Sequence, residues 1–338
     1  MNFFRKHKLA GILIGIPTVL LFLLLLLFAI ITAIPLFERI DNRAVPGTAS
    51  WMESLDDETL ISEVVLPGTH DSCSAYVSLP FFSRCQALKI DEQLESGFRF
   101  LDIRLELDKK TGKMLLMHGF THCRNGIMPW SGNLELESVL EQCYEFLEKH
   151  PTEFIIFSVK QEHGSESTES FERTMNAYAE SRPEYWLLTD SIVSVGEARG
   201  KLVLMRRYAD KLMLGKGSGI SFIWADQKNR DDTGLAESSY DNGTYTLLVQ
   251  DRFKYDPDDK WSAFLSTLEA ARENADENRL FVNYLSTNGN TAYGHPYKYA
   301  KPLNSRFMSD STPDLNGWLI VDFGTSEIAE KIYSENSK

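Results

Sequence analysis

The chain has 338 residues, 43% of them hydrophobic and 25% charged, with a formal net charge of −13. A chain of this length buries a large core and fits either about two domains or a single α/β barrel. The acidic balance excludes nucleic acid as the expected partner, because backbone-phosphate binding needs a basic surface, and it gives no general attraction to an anionic bilayer.

Arg5, Lys6 and Lys8 precede a stretch from Leu9 to Phe37 that carries no formal charge and is dense in Leu, Ile, Val and Phe; Glu38 and Asp41 follow it. A span needs about 20 apolar residues, whereas a signal-peptide core has about 7–15. Basic residues before the stretch and acidic ones after it place residues 1–8 in the cytosol by the positive-inside rule. The expectation is an uncleaved single-pass signal-anchor over residues 9–37 with the remainder outside; a cleaved signal peptide and secretion is the alternative. Residues 38–50, with Asp41-Asn42 and Pro46-Gly47, read as a linker, and residues 51–338 as one catalytic barrel.

Trp51 to Leu60 is amphipathic and predicts a short helix over the barrel base. Strand-like runs then recur at Glu63 to Leu66, Phe98 to Leu105, Met114 to Met117, Phe154 to Val159, Leu202 to Met205, Leu247 to Val249, Leu280 to Tyr284 and Trp318 to Val321. Most are continuous apolar runs, which suits strands covered on both faces. Helical spacing appears at Ile90 to Glu95, Leu134 to Lys149, Phe171 to Ala179 and Trp261 to Ala275. Strands alternating with helices predict a parallel sheet, and eight of them fit a (β/α)8 TIM-type barrel. Residues 208–245 read as an irregular insertion with one strand at Ile220 to Trp224. The four cysteines, Cys73, Cys85, Cys123 and Cys143, are even in number and lie in the presumed external part. Two disulfides are expected, Cys73–Cys85 and Cys123–Cys143 by nearness in sequence, with buried free thiols as the alternative.

The strand ends carry the chemistry. The runs end, in order, at His70-Asp71, Asp102-Ile103-Arg104, His118-Gly119, Lys160-Gln161-Glu162, Arg206-Arg207, Gln250-Asp251 and Asp322. In a parallel barrel such positions converge on one face, where active sites form. Two histidines can serve as general base and general acid, and Arg104 can hold fixed positive charge against a phosphate. No Gly-x-Ser-x-Gly elbow offers a serine nucleophile. An oxygen site for Ca²⁺ from Asp71, Asp102, Glu106 and Asp322 is the competing reading, with Arg104 standing against it.

These residues carry a resemblance. Leu66-Pro67-Gly68-Thr69-His70-Asp71-Ser72, Gly97-Phe98-Arg99-Phe100-Leu101-Asp102-Ile103-Arg104, Leu116-Met117-His118-Gly119, Ser158-Val159-Lys160-Gln161-Glu162, Gln250-Asp251-Arg252-Phe253 and Gly317-Trp318-Leu319-Ile320-Val321-Asp322 resemble, in order and spacing, bacterial phosphatidylinositol-specific phospholipase C. The resemblance spans about residues 51–330. It implies a distorted barrel and a lyase-type step in which the inositol 2-hydroxyl attacks its neighbouring phosphate, giving diacylglycerol and inositol 1,2-cyclic phosphate. It implies His70 as base held by Asp322, His118 as acid partnered by Asp71, and Arg104 in place of a metal, so no cofactor and no metal are expected. It further implies that Lys160, Glu162, Arg207 and Asp251 grip the inositol hydroxyls. Phe253 stands where relatives carry a tyrosine that packs on the ring. The expected partners are phosphatidylinositol, or a related inositol lipid, and the membrane. Cleavage of glycosylphosphatidylinositol anchors and a non-catalytic barrel that binds inositol phosphates or glycans are the alternative functions. His122 and His163 read as structural, and His295 as a loop residue near the mouth. Leu79 to Phe82, Met128-Pro129-Trp130 and Tyr293 to Tyr299 are the candidate membrane-facing loops, since aromatic residues suit an interface.

Overall fold

The structure is a computed structural model that describes residues 2–128, 130–162, 164–213, 217–231, 235–240, 244–274, 278–291, 294–309, 312 and 314–338. Its elements in chain order are α1 (Asn2–Ala33), β1 (Leu66–Thr69), α2 (Pro80–Ser83), α3 (Ile90–Glu95), β2 (Phe100–Leu107), β3 (Met114–His118), β4 (Thr121–His122), α4 (Leu136–Lys149), β5 (Ile155–Gln161), α5 (Thr168–Ser181), β6 (Trp186–Leu187), α6 (Val195–Ala198), β7 (Leu202–Arg207), β8 (Ile220–Ser221), β9 (Ala236–Tyr240), β10 (Tyr245–Gln250), α7 (Pro257–Glu273), β11 (Arg279–Tyr284), α8 (Pro296–Ser309), β12 (Trp318–Val321) and α9 (Ser326–Tyr333).

One curled sheet organises them, in the order β6-β7-β5-β2-β1-β12-β11-β10-β9. From β7 round to β10 every neighbour runs parallel. Inside the curl, side chains from all of these strands fill one apolar cluster, with the rings of Phe100, Phe222 and Trp318 5.8–6.1 Å apart at its centre. Two further apolar clusters form outside, one between the sheet and α4 and α5, the other against α7, α8 and α9. A strand covered on both faces needs apolar residues at every position, which explains the unbroken runs in the sequence.

The sheet is not a closed ring of eight parallel strands. Among the described residues no ladder joins β8 to β10 or β9; across that gap the Tyr245 hydroxyl donates to the Ser221 carbonyl at 2.9 Å. Among the described residues the irregular insertion supplies the two-residue β8, parallel to β7, and the antiparallel β9. The strand ending at His118 also departs from the expected topology. β3 runs antiparallel to β2, with Leu105 opposite Leu116 and Leu107 opposite Met114. His118 therefore reaches the site by folding back along β2 from its far end.

The helix expected at Trp51 to Leu60 is a 3₁₀ segment at Thr48–Ser54. Tertiary bonds fix it there. The Arg99 guanidinium, fully buried, donates to the Thr48 and Ala49 carbonyls, pairs with Glu153 at 2.8 Å and lies 4.6 Å over the Phe146 ring. Glu153 in turn accepts from the Met52 amide at 3.1 Å. Residues 38–50 are fastened to the barrel as well: Asn42 accepts from the Ser326 amide and donates to Ser96, while Glu38 pairs with His295 at 2.5 Å.

The four cysteines are free thiols, so neither expected disulfide forms. Cys73, Cys123 and Cys143 sit in the apolar cluster beneath α4, whereas Cys85 faces His118. An even cysteine count carries no information about whether sulfurs meet. Among the described residues no helix is long and apolar enough to cross a membrane. The side chains of residues 1–15, which make up the first half of α1, lie outside the description.

Gly68 sets the spacing of β1 against β2. A Cβ there would stand 2.7 Å from the Phe100 Cβ and would also meet the Ile320 side chain. Gly68→Ala therefore costs about 1–3 kcal/mol by overpacking. Chemical denaturation checks this, and an unchanged midpoint would refute the close approach.

Candidate active site

The C-terminal ends of the parallel strands open into a cleft of about 430 Å³. His70, Arg104, His118, Lys160, Glu162, Arg207, Asp251, Phe253 and Asp322 all line it, and Asp71 lies directly beneath, only 2% exposed. The structure thus brings together every residue the sequence singled out for the site.

His70 follows the last residue of β1, and its amide donates to the Val321 carbonyl of the neighbouring β12. Parallel pairing of β1 with β12 carries Asp322, remote in sequence, to the His70 ring: Nδ1 and the Asp322 carboxylate are 2.8 Å apart. Asp71 has φ +44°, in the left-handed region. A non-glycine residue there is strained, and such strain collects at functional sites. The turn directs the Asp71 carboxylate back under the cleft. Its Oδ2 lies 3.2 Å from His70 Nε2, 3.1 Å from Arg104 Nη1 and 3.5 Å from His118 Nδ1. No hydrogen bond is aligned on that oxygen despite these ion-pair distances. Asp71 is therefore shared by two imidazoles and a guanidinium rather than dedicated to His118. The nearest partner of His118 Nδ1 is the Ser83 carbonyl at 2.8 Å, which requires a proton on that nitrogen.

Arg104 projects from the same face of β2 as Asp102, because side chains two apart on a strand share a face. The Asp102 carboxylate accepts from Arg104 Nε at 3.1 Å and Nη2 at 2.8 Å, and pairs with Arg207 at 3.3 Å. Arg207 is stacked on Trp224, its guanidinium 3.6 Å from the ring centre. Lys160 pairs with Glu162 at 3.1 Å, and Glu162 also accepts from the Gly119 amide. The His70 and His118 rings stand 6.3 Å apart, edge to face. The chain thus presents two imidazoles and a fixed guanidinium around one carboxylate, with further charges disposed around a polar cavity. Such a set can transfer protons at two positions of one anionic phosphodiester.

Residues 69–208 match the family described as phosphatidylinositol-specific phospholipase C, X domain. That stretch holds the ends of β1, β2, β3, β5 and β7 that form one side of the cleft. It is similar to a 1-phosphatidylinositol phosphodiesterase of Staphylococcus aureus, 29% identical over 85% of this chain and 94% of the relative. A protein of the same name from Listeria monocytogenes is 26% identical over 86% of this chain and 85% of the relative. A solved structure of the Staphylococcus aureus phosphatidylinositol-specific phospholipase C, from work on modulation of its membrane binding, superposes with a TM-score of 0.71 at 28% identity, covering 86% of this chain and 97% of that one. His70, Asp71, Arg104, His118, Lys160, Glu162 and Arg207 fall within the matched X-domain residues; the later strands supply Asp251, Phe253 and Asp322.

The electrostatics of the cleft follow from burial and pairing. Burial works to lower the His70 pKa, but the Asp322 and Asp71 carboxylates and the Asp322 hydrogen bond outweigh it, so the net shift is upward. Burial works to raise the Asp102 carboxyl, yet Arg104 and Arg207 hold it well below the usual range. Glu162 is likewise lowered, with Arg104 and Lys160 overcoming its burial. Asp102, Asp71 and Glu162 more than offset the burial of Arg104 and push its pKa well up. A cluster this dense stays charged because each group is compensated.

Glu106, one of the four carboxylates of the Ca²⁺ reading, pairs with His122 at 3.0 Å. His295 is tied by Nδ1 to the Phe81 carbonyl at 2.7 Å and stacked on the Phe81 ring at 4.3 Å. It is a brace of the mouth. His163, Pro129 and Tyr293 lie outside the described residues. Sequence reasoning missed Asp102 as the residue that aims Arg104 and Arg207, although the Asp-x-Arg spacing on one strand was a usable signal. It also missed Cys85, Ser83 and Asp226, which line the cleft from loops without any pattern.

Proposed function

We propose that this protein cleaves phosphatidylinositol by intramolecular attack of the inositol 2-hydroxyl, releasing diacylglycerol and inositol 1,2-cyclic phosphate. The observation that carries the reading is the pair of imidazoles gathered with the Arg104 guanidinium in one cleft, all three around the Asp71 carboxylate. His70 Nε2 takes the proton of the 2-hydroxyl, while Nδ1–H donates to Asp322 and fixes the tautomer. The hydroxyl oxygen bonds to phosphorus as the bond to the glycerol oxygen breaks. His118, whose Nδ1–H is held by the Ser83 carbonyl, delivers its Nε2 proton to that leaving oxygen. Arg104 meets the negative charge that builds on the phosphate oxygens, aimed beforehand by Asp102 and Asp71. Because nucleophile and phosphate belong to one molecule, positioning by Lys160, Glu162, Arg207 and Asp251 around the ring supplies much of the acceleration. Phe253 offers an aromatic face without a hydroxyl.

The same reading places the enzyme at a membrane, anchored through α1 with its catalytic domain extracytoplasmic. From Ile16 to Phe28 the large apolar side chains of α1 are 46–64% exposed, and they point in every direction around the helix. Such a surface is at home in lipid and not in water. Phe37, Phe120 and Trp130 are 80%, 69% and 79% exposed, and Phe120 lines the cleft itself. Aromatic side chains at the mouth suit the headgroup region.

The test is the full chain in phosphatidylinositol micelles with excess EDTA. Cyclic inositol phosphate and diacylglycerol are expected in equal amounts at an undiminished rate. Loss of turnover in EDTA would overturn the arginine-based mechanism, and binding without any product would favour the non-catalytic barrel.

A further inference from the structure

Cys85 is the one thiol of this chain that lines the catalytic cleft, and its backbone is held on both sides. Its amide donates to the Ser74 hydroxyl at 3.1 Å and its carbonyl accepts from the Phe323 amide at 2.7 Å. Its Sγ lies 3.6 Å from His118 Nδ1, which in turn lies 3.5 Å from the Asp71 carboxylate oxygen that no hydrogen bond satisfies. Sulfur, imidazole nitrogen and carboxylate oxygen all fall within 4.8 Å of one another. Zinc bonds of about 2.3 Å to sulfur and about 2.0–2.1 Å to nitrogen or oxygen make tetrahedral ligand–ligand edges of roughly 3.3–3.6 Å.

From this geometry we infer an inhibitory site for Zn²⁺ or a similar thiophilic divalent cation, built from Cys85, His118 and Asp71. The inference goes beyond the proposed reaction, although its effect on turnover rests on that reading. A competing set, Cys85 with His70 and Asp322, also falls within 4.8 Å. It would require breaking the 2.8 Å bond between His70 and Asp322, whereas the His118 set gives up the contact with the Ser83 carbonyl and the ion-pair contacts of an Asp71 oxygen on which no hydrogen bond is aligned. Three protein ligands and a water complete the coordination.

The balance of the step is explicit. The Cys85 thiol releases its proton and binds as thiolate. The Nδ1 proton of neutral His118 moves to Nε2, and a cationic His118 loses one proton outright. Burial, together with the Asp322 and Asp71 carboxylates, pushes the Cys85 thiol well up, so the cation, not the resting site, supplies the driving force for that deprotonation. Once bound, the metal prevents His118 from becoming an imidazolium and draws Asp71 away from Arg104 and His70. The first consequence removes the general acid, and the second takes from Arg104 one of the carboxylates that aim it.

The experiment titrates the full chain with Zn²⁺ and, separately, with Cd²⁺, whose thiolate complexes absorb in the ultraviolet by charge transfer. Expected are inhibition by Zn²⁺ that EDTA reverses, and a half-inhibiting concentration at least tenfold higher in Cys85→Ser, each protein being compared with its own metal-free rate. A charge-transfer band on adding Cd²⁺ is expected in the wild type and not in Cys85→Ser or His118→Gln. Equal Zn²⁺ sensitivity of Cys85→Ser, or absence of the band in the wild type, would overturn the site. A band that persists in His118→Gln would overturn it equally, by assigning the metal to other thiols. If the substituted proteins do not fold, proton release by the wild type on adding Zn²⁺ decides the matter, its absence refuting thiolate ligation. The Cd²⁺ band needs no turnover, so the metal site and the proposed reaction fail separately.

Discussion

Replacing His70 with alanine lowers kcat by about 10²–10⁴-fold, the usual contribution of a positioned general base. Asp322→Asn gives a loss in the same direction for a distinct reason. The asparagine can hold Nδ1 but cannot stabilise the imidazolium that forms when the 2-hydroxyl proton arrives. The pH profile separates the two roles. In the wild type the base must be neutral, so kcat/KM rises with pH through a His70 pKa that lies above its ordinary value. Asp322 is the largest of the raising influences, and burial works against it. Removing that carboxylate lets burial prevail, so the ascending limb moves to lower pH in Asp322→Asn even as kcat falls. A limb that stays in place or moves up would show that Asp322 does not act through His70. Folding stability carries the same signature. Because the folded-state pKa of His70 is raised, its pairing contributes fully below about pH 6.5 and is lost as pH rises through the folded value.

How far the sequence reached depends on which residues carried a physical pattern. The strand ends were legible because apolar runs stop at charged residues, and parallel pairing of β1, β2, β5, β7, β10, β11 and β12 brings those ends to one mouth. His118 was assigned to the right place by the wrong route. An apolar run of four residues reads alike whether the strand is parallel or turns back, and only the register Leu105–Leu116 distinguishes them. The closure of the barrel was not legible at all, since it depends on the irregular insertion and on one hydroxyl, that of Tyr245. The expected helix at Trp51 failed because Arg99 and Glu153, far along the chain, take up the backbone of Thr48, Ala49 and Met52. The cysteines failed for a related reason: spacing along the chain does not tell that Cys143 on α4 shares an apolar cluster with Cys73 and Cys123 while the fourth lies beside His118. The division of labour among the carboxylates was only half visible. Asp322 serves His70 as read, but Asp71 lies almost equally close to His70, Arg104 and His118, and Ser83 takes the His118 ring.

Arg104→Lys is expected to lower kcat by roughly 10²–10³-fold with little change in KM, the loss typical of one transition-state donor. The substitution keeps the charge, so the result tests geometry. Arg104 engages Asp102 through Nε and Nη2 together and Asp71 through Nη1, and in this way its plane is set before substrate arrives. An ammonium is a compact point charge on a flexible stem and cannot satisfy two carboxylates while presenting fixed donors to a phosphate. It would settle between Asp71 and Asp102, where the negative charge already is. The phosphate oxygens would then meet a cation already spent on protein carboxylates, at the moment their own charge is growing. Alanine at this position confounds the issue, because it leaves the buried Asp71 and Asp102 without their shared cation and costs several kcal/mol in folding. The lysine variant is therefore the sharper measurement, read as kcat and KM on phosphatidylinositol micelles with stability checked alongside. A lysine variant within about fivefold of the wild type in kcat would show that charge alone suffices, and that orientation by Asp102 contributes nothing to the reaction.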